Sequence, residues 1–391
     1  MLTDMVALAT RVGLAEMALV GILTLLACQR AGQESYDAGQ EEGGGPEDAA
    51  DGQAGADDGE APAPDGDSTP DAPPPRTCLG PGEDPGRQSV CSAETFPSGG
   101  RTRGAIVCRP EPLPAGPLPL VLAFHGGGGN AARWQASIPW HETAARHGFV
   151  AVFMQGCREA LTDCSAAQGS YLWNVGKAGE PSAIDDQRYT LDLLAHLETA
   201  LGLEIDPGCR FATGHSLGGI FTYSLMCDRP ELLTAIGPIS APPTDQTCTP
   251  HAGTSIHHLH GALDENVPFH TGCCSAAQQT AGDPEYQPAC AALPRCFNPS
   301  NWWPPVRSGD HPFAQVTGLD ALAFQGLGCR GEPEVLSQTG GVTCLTYPGC
   351  APDRAAEFCL LDGVDHNLAA LNTVLDVRAH LWARFAAHPA R

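Results

Sequence analysis

Basic side chains are scarce in this 391-residue chain: 21 Lys and Arg stand against 45 Asp and Glu, for a formal net charge of -24. Nucleic acids and anionic bilayers are held through basic patches that offset phosphate charge, so no nucleic-acid partner is expected, nor a membrane bound by charge. Long apolar runs are missing too. The run MALVGILTLLA at residues 17–27 is too short to span a bilayer comfortably. Between Tyr36 and Cys78 large apolar side chains almost vanish, and residues 29–77 are rich in Gly, Ala, Pro, Asp and Glu. Such a stretch cannot bury enough surface to offset its ordering entropy, and reads as a disordered acidic linker, extended by its charges and stiffened by its prolines. Paired CxxC spacings are few, and no internal repeat or long apolar lid helix stands out.

Cysteine is the opposite case. Seventeen of them exceed what a reducing compartment tolerates, and their scatter from Cys78 to Cys359, with Cys273 and Cys274 adjacent, predicts disulfides that staple loops to a scaffold. The N-terminus agrees with export: Arg11 precedes the apolar run, and Ala27 is followed by Cys28. Residues 1–28 read as a signal peptide, and LLAC resembles a bacterial lipobox, which makes Cys28 the expected lipid attachment. Its removal from the disulfide pool leaves an even number. Ordinary cleavage nearby is the alternative, and export holds under either. The expected location is therefore the bacterial cell envelope through that anchor, otherwise the extracellular space. Membrane contact is expected only through that lipid.

Residues 78–391 form the expected catalytic domain. LPLVLAF at 118–124 and FVAVFM at 149–154 are continuous apolar runs, as buried parallel strands require, with a helix expected over Trp140 to His147 between them. SAID at 182–185 resembles a capping box, and Leu191, Leu194, Leu197 and Leu201 follow at helical spacing. Asp206 and Pro207 suggest a turn, Arg210 to Thr213 a short strand, LTAIGPIS at 233–240 and SIHHLHG at 255–261 two more. One amphipathic helix is expected from Leu368 to about Ala387. Strands alternating with helices point to a mostly parallel sheet covered on both faces.

Chemistry enters with Gly214-His215-Ser216-Leu217-Gly218, set between a strand and a helix. A serine hydroxyl is a poor nucleophile unless it stands on a sharp turn, faces a base, and has donors for the developing oxyanion. The flanking glycines permit such an elbow, with Ser216 as nucleophile and the Leu217 N–H as an oxyanion donor. His125 to Gly129 reads HGGGG at the end of a central strand, and Gly127 is the expected second donor. In this strand–elbow–helix context the acid and histidine follow in that order. Asp264 in HGALDENVPF sits just past a strand, and His366 in LLDGVDHNL lies in a late loop, with Asp362 and Asp365 as competing acids. His257, His258 and His260 alternate in direction along a strand, and no later group completes a metal site in sequence. No metal or organic cofactor is expected.

With FHGGGGN, IDPGCRFATGHSLGGIFTYSLMCDRPELLTAIGPISA, HGALDENVPF and LLDGVDHNL in hand, the chain from about Arg101 onward resembles the secreted polyhydroxybutyrate depolymerase and feruloyl esterase family of α/β-hydrolases. The resemblance implies an α/β-hydrolase fold and ester hydrolysis through an acyl-enzyme, with Ser216, Asp264 and His366 at the triad positions. It implies substrates among feruloyl or acetyl esters of plant polysaccharide, or hydroxyalkanoate polyesters. The chain departs from the family in carrying DGVDHNL where a Gly-Gly-Gly-His-x-Trp-Pro type of motif is common. Near residues 272–312 a cysteine-rich stretch contains Trp302 and Trp303, which with His215 and Trp173 are candidate substrate contacts, the alternatives being that the tryptophan pair packs a small disulfide-held subcore and that Trp173 belongs to the core. The chain ends in its last expected helix, so attachment to an insoluble polymer is expected to use the domain's own surface. Rival readings are a binding protein on a hydrolase scaffold, and a peptidase or lipase with the same triad.

Overall fold

Gly99 and Gly100, at φ 57° and 74°, turn the chain between β1 (Gln88–Ser98) and β2 (Arg101–Glu111), which pair antiparallel without a slip. Positive φ at both central positions is what a two-residue hairpin turn demands, and glycine adopts it without strain. In this computed structural model, the described residues are 77–78, 83–165, 169–175, 184–241, 243, 254–264, 266–267, 281–282, 284, 327–330 and 333–389. They lie in one compact unit, Ala72–Arg391. Cys28, Trp302 and Trp303 lie outside them, as do Cys273, Cys274, Cys290 and Cys296.

From the hairpin the chain runs through β3 (Leu118–Phe124), α1 (Ala131–Ser137), α2 (Trp140–His147), β4 (Val150–Met154) and the short β5 (Asp163–Cys164). It continues with α3 (Asp186–Thr199), β6 (Ile205–His215), α4 (Leu217–Asp228), β7 (Ala235–Ile239) and β8 (Ser255–Gly261). A hairpin of β9 (Glu334–Thr339) and β10 (Val342–Thr346) precedes β11 (Ala356–Leu361), α5 (Leu368–Val374) and α6 (Val377–Ala387).

The strands join one sheet in the order β1-β2-β4-β3-β6-β7-β8-β11-β10-β9, with β5 beside β2. From β4 to β11 neighbouring pairs are parallel, and the flanking strands are antiparallel. This is the α/β-hydrolase order. Every residue of β3 is buried, as a strand covered on both faces must be. Leu118, Leu120, Leu122 and Phe124 join one core with Tyr189, Leu193 and Phe221 from α3 and α4. Val121 and Ala123 point the other way, toward Trp134, Trp140 and Phe385. The strand order reverses at β3, with β4 on one side and β6 on the other, so the carboxyl ends of β3 and β6 flank a crevice.

Two sequence expectations change. Asp206 and Pro207 do not end a segment: they lie inside β6, where a register shift against β3 and the Gly208 N–H to Asp206 Oδ1 bond at 2.9 Å absorb the turn chemistry as a bulge. The final helix is two, broken at extended Leu375, with Asp376 accepting from the Ala379 N–H to start the second. Disulfides link Cys78–Cys209, Cys91–Cys108, Cys157–Cys164, Cys329–Cys350 and Cys344–Cys359. No helix among the described residues is long and apolar enough to cross a membrane.

Candidate active site

Ser216 sits between β6 and α4 at φ 54°, a left-handed conformation that costs a non-glycine residue on the order of 1–3 kcal/mol. Its surroundings leave it no alternative. The Ser216 N–H donates to Ile239 O at 2.9 Å, while its carbonyl accepts from Ile220 N–H at 2.9 Å and is thereby committed to the helix. The glycines of GHSLG are required by close approach: a Cβ on Gly214 would lie 2.5 Å from the Gly218 backbone, and one on Gly218 would lie 2.3 Å from Phe124 O. The elbow is thus clamped between β3 and β7.

The HGGGG loop packs on the elbow. A Cβ on Gly126 would meet Ser216 Cβ at 3.7 Å, and one on Gly127 would meet Leu217 at 3.5 Å. The N–H groups of Gly128 and Gly129 are taken by Tyr171 O and Gly126 O. Those of Gly127 and Leu217 have no acceptor among the described residues, which leaves both available to an oxyanion. His125 braces this loop. Gly156 N–H donates to its Nε2 at 3.0 Å, so Nδ1 carries the proton and donates to Gly126 O at 2.8 Å. Burial lowers its pKa to about 4 and keeps it neutral.

Asp264, in the turn after β8, accepts at Oδ1 from the N–H groups of Asn266 and Val267, at 3.0 and 2.7 Å. Its Oδ2 stands 2.7 Å from His366 Nδ1. Burial pushes this carboxyl up, but the hydrogen bonds from His260 and His366 outweigh it and hold it well below the usual range. The loop carrying His366 leans on β8 because Gly261 has no side chain: a Cβ there would lie 2.5 Å from Val364 O. The competing acid Asp365 instead accepts from the Asn367 N–H at 2.8 Å. The structure therefore brings the Asp264–His366 pair together and places it beside the elbow, since His215, next to Ser216, bonds through Nε2 to the His366 carbonyl at 3.0 Å.

No family model matches the chain. It is similar to feruloyl esterase B of Piromyces equi, 21% identical over 253 residues that cover 63% of this chain and 39% of that protein. It is also similar to a bifunctional acetylxylan esterase/xylanase of Neocallimastix patriciarum, 24% identical over 147 residues, covering 38% of this chain and 19% of that protein. A probable feruloyl esterase C of Aspergillus niger is 26% identical over 190 residues, with 48% and 63% covered. The chain spans less than two thirds of the length of each of these relatives. Among solved structures it is similar to an acetyl xylan esterase from Aspergillus awamori, with a TM-score of 0.46 and 13% identity, covering 75% of this chain and 100% of that one.

Trp173 and His215 are both tied into the fold, Trp173 in the core position that was its alternative reading. Trp173 is only 3% exposed: its indole N–H donates to His125 O at 2.8 Å and its ring stacks on Phe221. It props the His125–Gly129 loop and offers no open stacking wall. The neighbouring Leu172, 38% exposed, faces outward beside Gly127. His215 is tied by its ring to the His366 backbone, with burial and then His366 lowering its pKa to about 3. Its role here is to couple the elbow to the histidine loop. Sequence reasoning passed over His125 as a brace, although the histidine opening HGGGG was the signal.

The β8 histidines split between faces as expected, His257 bonding Glu357 at 3.1 Å and His258 bonding Tyr223 at 2.7 Å. Cys344, Glu357, Cys359 and His380 bring potential ligand atoms within 4.8 Å of one another. Cys344 and Cys359 are joined as a disulfide, so neither offers the thiolate a metal would need.

Proposed function

We propose that this protein is an exported serine carboxylic-ester hydrolase that acts through an acyl-enzyme on feruloyl or acetyl esters of plant polysaccharide. The observation that carries the mechanism is the 2.7 Å bond between His366 Nδ1 and Asp264 Oδ2, held beside a strained Ser216. Asp264 fixes the tautomer in which His366 Nε2 is a base and stabilises the imidazolium formed when it takes the Ser216 proton. Ser216 Oγ attacks the ester carbonyl, and the amides of Gly127 and Leu217 receive the oxyanion. His366 then protonates the leaving alcohol, and water repeats the cycle on the acyl-enzyme. The substrate class follows the activities of the relatives, feruloyl and acetylxylan esterases. The disulfides among the described residues support an extracellular site of action, and Cys28 is the proposed lipid attachment.

The test is hydrolysis of methyl ferulate, an aryl acetate and hydroxybutyrate oligomers by the full chain and by Ser216→Ala. Turnover of the ferulate or acetate, lost in the variant while the melting curve is kept, is the expected result. Preference for the oligomers would move the substrate to polyesters, and equal activity in both proteins would remove Ser216 from the mechanism.

A further inference from the structure

Asp264 does not end at His366. On its other side a row of buried polar side chains runs back into the core from β8 to α4. Tyr223 Oη lies 2.7 Å from His258 Nδ1, and His258 Nε2 lies 2.9 Å from His260 Nδ1. His260 Nε2 lies 2.8 Å from Val267 O and 3.5 Å from Asp264 Oδ2. Tyr223, His258, His260 and Asp264 are all buried, and the two imidazoles lie parallel with centroids 5.2 Å apart.

The far end of the row fixes every proton in it. A carbonyl only accepts, so His260 Nε2 carries its hydrogen toward Val267 O, and His260 Nδ1 is an acceptor. His258 Nε2 must then donate to it, which leaves His258 Nδ1 to accept the Tyr223 hydroxyl. For neutral rings no other assignment satisfies all three contacts. Burial favours the neutral forms, lowering His258 well below its ordinary pKa and raising Tyr223 well above. Three polar groups in a core cost several desolvation penalties, and here the donors of the row run one way, ending on Val267 O at 2.8 Å with Asp264 Oδ2 3.5 Å from the same His260 Nε2.

We infer that Tyr223, His258 and His260 are positioning residues, a directed relay that holds the Asp264 carboxylate in line with His366 Nδ1 and draws off part of its charge. The inference rests on Asp264 and His366 being the catalytic pair. The relay sets how strongly the Asp264 carboxylate bonds the His366 Nδ1–H. Among the described residues, the titratable group besides Asp264 that faces His366 is His215, whose ring centroid is 4.6 Å away. Asp264 itself is faced by His260 and His366.

Histidine-selective nitrogen NMR, with signals assigned by single substitutions, and pH–rate profiles test this on the full chain. The wild type is expected to show His258 and His260 as neutral Nε2–H tautomers near neutral pH. His260→Leu is expected to raise the His366 titration midpoint and move the acid limb of kcat/KM to higher pH. Its kcat should fall roughly tenfold with KM unchanged, the size of effect when one bond of a coupled network is lost. His260→Gln, which keeps a donor, should return the limb toward the wild type. Tyr223→Phe touches neither Asp264 nor His366 and should shift the midpoint the same way by less. Nδ1–H tautomers in the wild type, or an unmoved His366 midpoint in folded Tyr223→Phe and His260→Leu, would overturn the relay. If His260→Leu does not fold, Tyr223→Phe decides alone. A wild type that hydrolyses no ester, yet whose His366 midpoint moves in the variants, would count against the proposed function and for the relay.

Discussion

Three polar side chains around the site do their work without reaching toward a ligand. His125, Trp173 and His215 each bond a backbone carbonyl: Gly126 O, His125 O and His366 O respectively. Such bonds set where the Gly127 amide and the His366 ring stand, and a displacement of a few tenths of an ångström at either is felt in the transition state more than in substrate binding. Trp173→Phe separates the two roles. The phenyl ring keeps the stack on Phe221 but loses the N–H to His125 O. Stability should drop by about 1 kcal/mol, the ordinary net value of one hydrogen bond. In steady-state kinetics kcat should fall several-fold while KM stays put, and a rise in KM alone would return Trp173 to the substrate wall. The identity of the nucleophile, acid and base candidates was legible in sequence because each sits in a short motif with a fixed place relative to a strand end. The roles of Trp173 and His215 were not, because a polar aromatic near a site looks the same whether its donor meets a substrate or a carbonyl from a segment 48 or 151 residues away.

Secondary elements position the site through a few contacts closer than any side chain permits. The β6–α4 elbow meets β3 at Gly218, where a Cβ would lie 2.3 Å from Phe124 O and 2.5 Å from His125 O. Backbone is not free to yield there, since β3 is hydrogen-bonded on both edges to β4 and β6. Gly218→Ala must push α4 off the sheet, and with it Ser216 and the Leu217 amide. Overpacking of this kind costs about 1–3 kcal/mol. Urea unfolding should show that loss together with near-complete loss of turnover, whereas Gly202→Ala, at φ 63° but with open space around its Cβ, should lose some stability to backbone strain and keep turnover. The buried strands β3, β4 and β8 were legible as apolar runs or by their length. The β1–β2 hairpin was not: β1 is mostly exposed and its sequence mixes polar and apolar residues without a clear period, so only the Gly99-Gly100 turn signalled it. The break between α5 and α6 was hidden because Asp376 falls on a spacing compatible with one continuous helix, and only its capping bond to Ala379 reveals the restart.

At the scale of the whole molecule, two opposing electrostatic effects decide how the domain responds to acid. A net charge of -24 makes the folded chain repel itself, and acidification relieves this only once carboxylates begin to take protons, near pH 4. Histidines act earlier and in the opposite direction. His125 and His380 are held at about pKa 4 and His215 at about 3, burial being the first cause in each, against 6.5 when unfolded. Below pH 6.5 the unfolded chain therefore binds protons that the folded one refuses. Stability from these rings is complete above pH 6.5 and is lost as pH falls toward their folded values. For fully buried His125 alone the difference is worth about 3 kcal/mol. The carboxylates follow with the usual acid sign. Glu357, which burial would raise but which His257 and Arg384 hold at about 2, contributes above pH 4.5 and loses that contribution as pH falls through its folded value. Between pH 6.5 and 4.5 self-repulsion is scarcely relieved, so the histidine effect wins. Urea midpoints measured with disulfides intact should be level from pH 8 to 7, then decline steadily to pH 4.5, and the decline should be shallower in His125→Gln, which is less stable at pH 7.5 to begin with. A midpoint that stays level down to pH 5 would mean that these rings are not buried neutral groups, and the brace assigned to His125 would go with them.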